Sequence, residues 1–304
     1  SDIKGFTVQT LSTDTVASQA ALGSWASGGN LNTGRNGVRG AGVSQTATVV
    51  FGGNDGSVTG KTENYNGSSW TETTDMNTGK TNSVGTGTYT AAIAAYTSTS
   101  EIWDGSSWTE VSEMNTPRQE VGSLGTSTAA LAMGNQNGAS AIVEQWDGSS
   151  WTEVNDLNTA VGACTGFGTT SAGHAVGGGD GSSPPQIQAI NQIWNGSSFS
   201  EGADMNTARY FSAASGTTTA GLVFSGYSTT QVAITESWDG TAFTEQADLS
   251  TARFTGAPAH NSTQADAILA GGNPSNKNNT EEWTAPSVFS KITEGQLFFN
   301  STTN

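Results

Sequence analysis

Pairs of aromatic residues recur along the chain, and each pair brackets a short polar turn. The two aromatics always lie five positions apart, and Asp-Gly or Asn-Gly follows the first of them. The pairs are Tyr65 and Trp70, Trp103 and Trp108, Trp146 and Trp151, Trp194 and Phe199, and Trp238 and Phe243. Asp-Gly and Asn-Gly between strand-like runs predict β-hairpins, because a two-residue type I′ turn needs positive φ at both central residues. A four-residue loop is the alternative, and in either register both rings project from one face of the sheet.

Two further strand-like segments precede each hairpin. One is a run of small residues, such as 208–216, and the next is rich in Ala, Val and Ile, such as 128–133. The second run hardly alternates, which favours a strand buried on both faces. Gly-Gly often follows it, and then comes a loop of variable length. The pattern therefore predicts a four-stranded unit in the order small, apolar, aromatic, aromatic.

The unit occurs six times. A Met/Leu-Asn-Thr motif marks each copy, beginning at Leu31, Met76, Met114, Leu157 and Met205, with Leu249-Ser250-Thr251 as the sixth. The spacing of about 38–48 residues is the size of a propeller blade. We therefore predict an all-β, six-bladed β-propeller of four-stranded blades.

The two ends of the repeat are complementary. Trp25 lies six residues before Leu31, as Trp70 lies six before Met76, but no Asp-Gly hairpin precedes it. Trp283 is the aromatic before the turn in the last unit, but Thr284-Ala285-Pro286 follows where the turn and the last strand should be. The segment around Trp25 should therefore supply the outer strand of the blade that ends at Trp283, which removes two open edges. We expect a propeller over residues 20–285, an N-terminal attachment segment over 1–19 and a strand-like C-terminal tail over 286–304.

Composition supports this interpretation and narrows the range of partners. Charged residues make up 12% of the chain, roughly half the usual share, and the net charge is −16. An acidic surface repels phosphate backbones, so we expect no nucleic-acid partner. We expect no membrane insertion and no signal peptide, because no run of 18 apolar residues occurs and the first residues lack an apolar core.

The residues that could carry catalysis are few. The histidines are His174 and His260, in different units, and the one cysteine, Cys164, lies in a small-residue run. We expect structural roles for all three, with no metal site and no cofactor. The acids that follow the outer aromatics, at Glu72, Glu110, Glu153, Glu201 and Glu245, are repeated, which indicates a scaffold role. A carbohydrate-active enzyme, which needs two unlike carboxylates, is therefore a minor alternative.

A cation follows the Asn-Thr motif in five of the six units. These cations are Arg35, Lys80, Arg118, Arg209 and Arg253, and Val161 takes the place in the fourth unit. Symmetry places them in a ring at one end of the propeller. One interpretation is a set of salt bridges to repeated acids such as Asp204 or Asp248. The other is a rim that binds anions such as acidic sugars.

The Gly-Gly pairs and spaced aromatics of residues 20–285 resemble the kelch repeat of β-propellers. The units that read WASGGNLNTGR (25–35) and NYNGSSWTE (64–72) resemble kelch-like repeat proteins of marine bacteriophages, and EGQLFFNSTTN (294–304) resembles segments of phage tail and fibre proteins. The resemblance implies a non-enzymatic virion protein at the tail or fibre level, present in several copies or as a homo-oligomer. Its termini would attach to other virion proteins, with Gly295–Asn300 adding a strand to a partner sheet.

The propeller itself would recognise a host-surface polysaccharide or dock to other virion proteins. The variable loops 180–188 and 273–279 would carry specificity. The alternative is a purely structural virion component, such as a head decoration or tail-knob subunit.

Overall fold

The chain forms a six-bladed β-propeller. The computed structural model describes residues 23–97, 99–135, 138–182 and 185–286. Their strands form six four-stranded antiparallel sheets, and these ranges contain no helix that could cross a membrane. The sheets surround a central channel, and successive innermost strands are neighbours around it. The predicted fold class and blade count are therefore confirmed.

The first five blades follow one another in sequence, each from its innermost to its outermost strand. Blade 1 comprises β2 (Arg39–Ser44), β3 (Ala47–Phe51), β4 (Thr62–Tyr65) and β5 (Trp70–Glu72). Blade 2 comprises β6 (Val84–Thr88), β7 (Ala91–Tyr96), β8 (Thr99–Trp103) and β9 (Trp108–Val111). Blade 3 comprises β10 (Gly122–Thr126), β11 (Ala129–Met133), β12 (Val143–Trp146) and β13 (Trp151–Val154). Blade 4 comprises β14 (Thr165–Thr169), β15 (Ala172–Val176), β16 (Asn191–Trp194) and β17 (Phe199–Glu201). Blade 5 comprises β18 (Ala213–Thr217), β19 (Ala220–Phe224), β20 (Thr235–Trp238) and β21 (Phe243–Glu245).

The sixth blade closes the ring as predicted. It contains β22 (Ala257–Pro258), β23 (Ile268–Ala270) and β24 (Thr280–Thr284), and its outermost strand is β1 (Ser24–Ser27) from the other end of the propeller. Trp25 lies opposite Trp283 in this pairing. The attachment segment 1–19 and the tail beyond residue 286, with its strand-like run 295–300, lie outside the described residues.

The hairpin between the two aromatic strands has the four-residue register. Trp103 pairs directly with Trp108, so the loop is 104–107. Asp104 accepts hydrogen bonds from the backbone N–H groups of Ser106 and Ser107 through Oδ1, at 2.8 Å each. Gly105 has a positive φ of 96° whereas Asp104 does not, so the expected type I′ turn is wrong. The Asp side chain forms an Asx turn instead.

The aromatic pairs form the core between blades. In the five hairpin pairs the ring centroids lie 4.7–5.5 Å apart, and the rings are buried. Outer tryptophans also reach the previous blade: Trp108 Nε1 donates to Thr62 Oγ1 at 3.0 Å. Trp25 makes the equivalent bond to Thr235 at 3.0 Å, so the closing strand replaces a regular outer strand in hydrogen bonding as well.

Candidate functional site

The five repeated cations lie inside the blades. Arg35, Lys80, Arg118, Arg209 and Arg253 are at most 2% exposed. Each forms a salt bridge with a Glu on the third strand of its own blade. The pairs are Arg35–Glu63 at 2.7 Å, Arg118–Glu144 at 2.9 Å, Arg209–Glu236 at 2.6 Å, Arg253–Glu281 at 3.2 Å, and Lys80–Glu101. The suggested partners Asp204 and Asp248 are therefore replaced by these glutamates.

The same glutamates hold the Asn-Thr motif. Glu63 accepts a bond from the backbone N–H of Asn32 at 2.7 Å, and Glu236 does the same for Asn206 at 2.7 Å. Burial lowers the pKa of Arg209, and the nearby Glu236 charge opposes that shift. Motif, cation and glutamate thus form one internal network, which explains why they repeat together.

Blade 4 has lost both charges of this network together. Val161 stands in place of the cation and Gln192 in place of the glutamate. Gln192 Oε1 accepts from the Thr159 N–H at 2.9 Å, and its Nε2 donates to the Thr159 carbonyl at 3.1 Å. A neutral pair therefore replaces the ion pair without leaving an unpaired charge inside.

The Gly-Gly pair links neighbouring blades. Gly53 donates its N–H to the carbonyl of Lys80 at 2.7 Å, and Gly178 donates to the carbonyl of Arg209 at 3.0 Å. Gly52 and Gly53 have positive φ values of 66° and 99°, which only glycine adopts readily. The cation residues therefore stabilise the scaffold through side chain and backbone. A role in binding anions stays a prediction, and these buried groups offer it no exposed charge.

His174 and Cys164 also lie inside the propeller. The His174 ring stacks on Phe167 with centroids 4.4 Å apart, and Nδ1 bonds Asn191 at 2.8 Å. Burial raises the pKa of the Cys164 thiol to about 11. Cys164 also lines a small internal cavity together with His260, and burial disfavours the thiolate there.

A ring of backbone hydrogen bonds surrounds one end of the central channel. Each bond joins equivalent residues of successive blades, just before the innermost strands. Asn82 donates to Gly37, Glu120 to Asn82, Ala163 to Glu120, Phe211 to Ala163, and Thr255 to Phe211, over 2.8–3.1 Å, and Gly37 closes the ring by donating to Thr255 Oγ1 at 3.2 Å. All six residues have φ between 48° and 62°. We call this end of the channel the mouth, and the face around it, which carries the blade-to-blade connections, the connection face.

Aromatic residues form one side of the mouth. Tyr210, Phe211, Tyr227 and Phe254 come from the connections of blades 5 and 6, and all four are half-buried. Their neighbouring centroids lie 4.8–6.2 Å apart. Within the described ranges the hydroxyls of Tyr210 and Tyr227 have no hydrogen-bond partner. We call these four residues the aromatic cluster.

Polar side chains form the other side of the mouth. Blades 2 and 3 lie across a six-membered ring from blades 5 and 6, and they contribute Tyr96, Gln119 and Glu120. The Tyr96 hydroxyl donates to Gln119 Oε1 at 2.9 Å, and Asn82 Nδ2 donates to Glu120 Oε1 at 3.3 Å. Burial raises the pKa of Glu120, while the Arg39 charge opposes that shift. The mouth therefore places a half-buried carboxylate opposite an aromatic wall.

A segment of blade 6 extends across part of the far end of the channel. The Asn261 N–H donates to the Gly42 carbonyl at 3.0 Å, and its Nδ2 donates to the Gly87 carbonyl at 3.1 Å, so the segment crosses to blades 1 and 2. Between this segment and the mouth lies a cavity of about 20 Å³ lined in part by Arg39, Ser123 and His260. Burial, followed by the Arg39 charge, lowers the pKa of His260 to about 3. Only a small internal cavity therefore remains in this part of the channel below the mouth.

A second concavity lies on the circumference between blades 3 and 4. It is wide and open, with a volume of about 450 Å³, and its lining includes Glu153, Asp156 and Phe199. Asn155 Nδ2 bridges it to the Ser197 carbonyl at 2.7 Å. Its aromatic ring, Phe199, is only 7% exposed, and neither carboxylate accepts a hydrogen bond from the described residues, so the mouth is the stronger candidate.

The aromatic cluster was missed in the sequence, although a signal was present. The two positions after each repeated cation read Asn36-Gly37 in the first unit and Tyr210-Phe211 in the fifth. Alignment of those positions reveals the departure from the repeat. Of the loops expected to carry specificity, the described parts of 180–188 (residues 180–182 and 185–188) and the loop 273–279 lie on the same connection face, in blades 4 and 6.

Comparison with known proteins adds no family. No protein-family model matches the chain, and no curated protein is significantly similar to it in sequence. The class is therefore defined by the fold, a six-bladed β-propeller. Within the described ranges, no group of three or more His, Cys, Asp or Glu side chains is placed to hold a metal ion.

Proposed function

We propose that this chain is a non-enzymatic binding propeller of a phage virion, at the tail or fibre level, and that its mouth recognises a host-surface glycan. The virion setting rests on the resemblance of the repeat units to kelch-like phage proteins. The binding role rests on the aromatic cluster, a half-exposed group of rings that departs from the repeat. Copies of such a protein on one virion would add avidity to a weak site.

The chemistry of the mouth suits carbohydrate. The C–H groups on one face of a pyranose carry partial positive charge and pack against the negative face of an aromatic ring. Sugar hydroxyls donate charge-assisted hydrogen bonds to a carboxylate such as Glu120. A concave site with an apolar wall and a few convergent polar groups is the usual form of a ligand pocket.

Glycoside hydrolysis is less well supported. That reaction uses two carboxylates on opposite sides of the scissile bond. At the mouth Glu120 is accompanied by the amides of Asn82 and Gln119, and no second carboxylate in the described part of the chain perturbs its pKa. This arrangement suits binding better than acid–base chemistry.

The test is adsorption of the fluorescently labelled protein to candidate marine bacteria before and after enzymatic removal of surface polysaccharide. The key variant is Tyr210→Asn with Tyr227→Asn. It introduces the residues that make the equivalent backbone bridge in blade 1, Asn36 and Asn54, so folding should be preserved.

We expect binding that is lost on polysaccharide removal and weakened at least about tenfold in the double variant, the loss of roughly 1.4 kcal/mol. Tyr89→Ala, at the hairpin turn on the opposite face, is the control and should bind as the wild type does. Binding that persists after removal of polysaccharide would overturn the glycan role. A folded, multivalent sample that binds no host would favour the purely structural virion role.

A further inference from the structure

The charge and the shape of the mouth favour one class of sugar as its ligand. Resting on the proposed function, we infer that the ligand is an uncharged pyranose at the end of a glycan chain. Three observations support this: the free acceptor on Glu120, the pairing of all described cations except Arg39 and Lys277, and the angles between the aromatic rings.

Glu120 is a positioned acceptor. Its backbone is held in the ring on both sides, by Asn82 and Ala163. Its side chain takes one hydrogen bond, from Asn82 to Oε1, and Oε2 has no partner within the described ranges. A sugar that brings hydroxyl donors satisfies this oxygen, whereas a carboxylate or sulfate on the sugar would be repelled by it.

Arg39 offsets that repulsion only in part, since its charge opposes the rise in the pKa of Glu120. The five repeated cations are buried in their ion pairs, and Lys61 pairs with Asp55 at 2.9 Å. Arg39 lies within the channel, where Nε donates to the Ser83 carbonyl at 2.7 Å and Nη1 to the Val38 carbonyl at 3.1 Å. The remaining cation in the described ranges, Lys277, lies further out, since its carbonyl bonds the N–H of Arg35, two residues before the ring.

The aromatic cluster forms a corner. Tyr227 stands nearly perpendicular to both of its neighbours, at 77° to Tyr210 and 71° to Phe254. A run of sugars along a polysaccharide needs coplanar rings on an open surface, whereas a corner encloses one residue. Arg39 and the blade 6 segment also lie below the mouth. A chain end therefore fits this corner better than a chain interior.

The experiment measures binding of methyl glycosides to the full chain by ligand-observed NMR and calorimetry. The panel holds neutral hexoses, their N-acetylated forms and the matching uronic acids, each at low and at physiological salt. We expect a neutral glycoside to bind, with an affinity that changes less than about twofold between the two salt concentrations. The matching uronic acid should bind at least tenfold more weakly.

Two variants separate the roles of the residues. Glu120→Gln keeps the size of the side chain and one acceptor but removes the charge. It should therefore weaken binding of the neutral sugar and reduce the discrimination against the uronic acid. Lys61→Ala removes a cation that pairs with Asp55 and should leave both affinities unchanged, whereas Lys277→Ala should leave the discrimination between the two sugars unchanged. The melting temperature of each variant serves as the folding control.

The outcomes distinguish this inference from the broader proposal. A best ligand that is acidic, loses affinity with salt and depends on Lys277 overturns the inference while leaving glycan recognition intact. So does binding only to oligosaccharides whose ends are blocked. Adsorption to cells that is unaffected by polysaccharide removal overturns the proposed function itself.

Discussion

The buried ion pairs offer a sharp test of how the blades are held together. In blade 5, Arg209 and Glu236 are fully buried and 2.6 Å apart, and blade 4 has Val161 and Gln192 in the same two places. The perturbation is therefore to convert blade 5 to the blade 4 pair, through Arg209→Val, Glu236→Gln and the two together. The chain itself provides the neutral solution that the double variant copies.

The magnitudes follow from what each change leaves behind. Arg209→Val leaves a buried carboxylate with the N–H groups of Asn206 and Thr207, and Glu236→Gln leaves a buried guanidinium. Removing one partner of a buried pair costs about 3–5 kcal/mol. The double variant leaves no buried charge in this pair. The glutamine introduced at position 236 can accept a hydrogen bond from the Thr207 N–H, as Gln192 accepts one from the Thr159 N–H. It loses mainly the bond from Arg209 to the Val223 carbonyl and some packing, about 1–3 kcal/mol.

The assay is equilibrium urea denaturation at pH 7 followed by tryptophan fluorescence, analysed as a double-mutant cycle. We expect the double variant to be clearly more stable than either single variant. Lys61→Ala and Asp55→Ala form the control cycle, since that pair is about a quarter exposed and should couple by less than about 1 kcal/mol. If the losses of stability caused by Arg209→Val and Glu236→Gln simply add up in the double variant, the two charges do not interact and the expected coupling is refuted.

Three further predictions concern single side chains. Because the pKa of His260 is lowered to about 3, the unfolded chain takes up a proton near pH 6.5 that the folded protein excludes. The free energy of unfolding should therefore fall as the pH drops from 6.5 toward 5. His260→Gln should reduce this pH dependence, measured by urea denaturation, by up to about 1.4 kcal/mol per pH unit. The same pH dependence in both proteins would count against the burial of His260. The Cys164 thiol, buried and with its pKa raised to about 11, should react with a maleimide only in urea, so labelling of the native protein would disprove its inaccessibility. Ala163 has a φ of 54°, so Ala163→Gly should raise stability by about 1 kcal/mol through relief of the left-handed strain, and a lower melting temperature would contradict this.

Much of the fold was predictable because the repeat carries it. Six copies of one motif predict the blade number, and the complementary defects at Trp25 and Trp283 predict the closing strand. The hairpin register was not predictable, since both candidate registers place Trp103 and Trp108 on one face. The four-residue loop follows from the bonds that Asp104 makes to Ser106 and Ser107, which depend on local geometry.

The ion-pair partners were harder to predict for a related reason. Several acidic positions repeat with the motif, including the columns of Asp248 and Glu245 as well as that of Glu236. Sequence spacing alone does not show which of these aligned acidic positions faces the cation within a blade. The joint loss of charge at Val161 and Gln192 was the available signal, because a buried charge seldom loses its partner alone.

The mouth shows how departures from the repeat can be separated from the demands of folding. Tyr210 and Tyr227 form a backbone bridge through N–H to carbonyl bonds of 3.0 and 2.9 Å. The equivalent bridges elsewhere are formed by Asn36 with Asn54 and by Gly162 with Gly179, so the backbone arrangement does not require aromatic side chains. These rings are not needed by the scaffold and stay partly exposed across the mouth from Glu120, and this is the observation on which the proposed binding role rests.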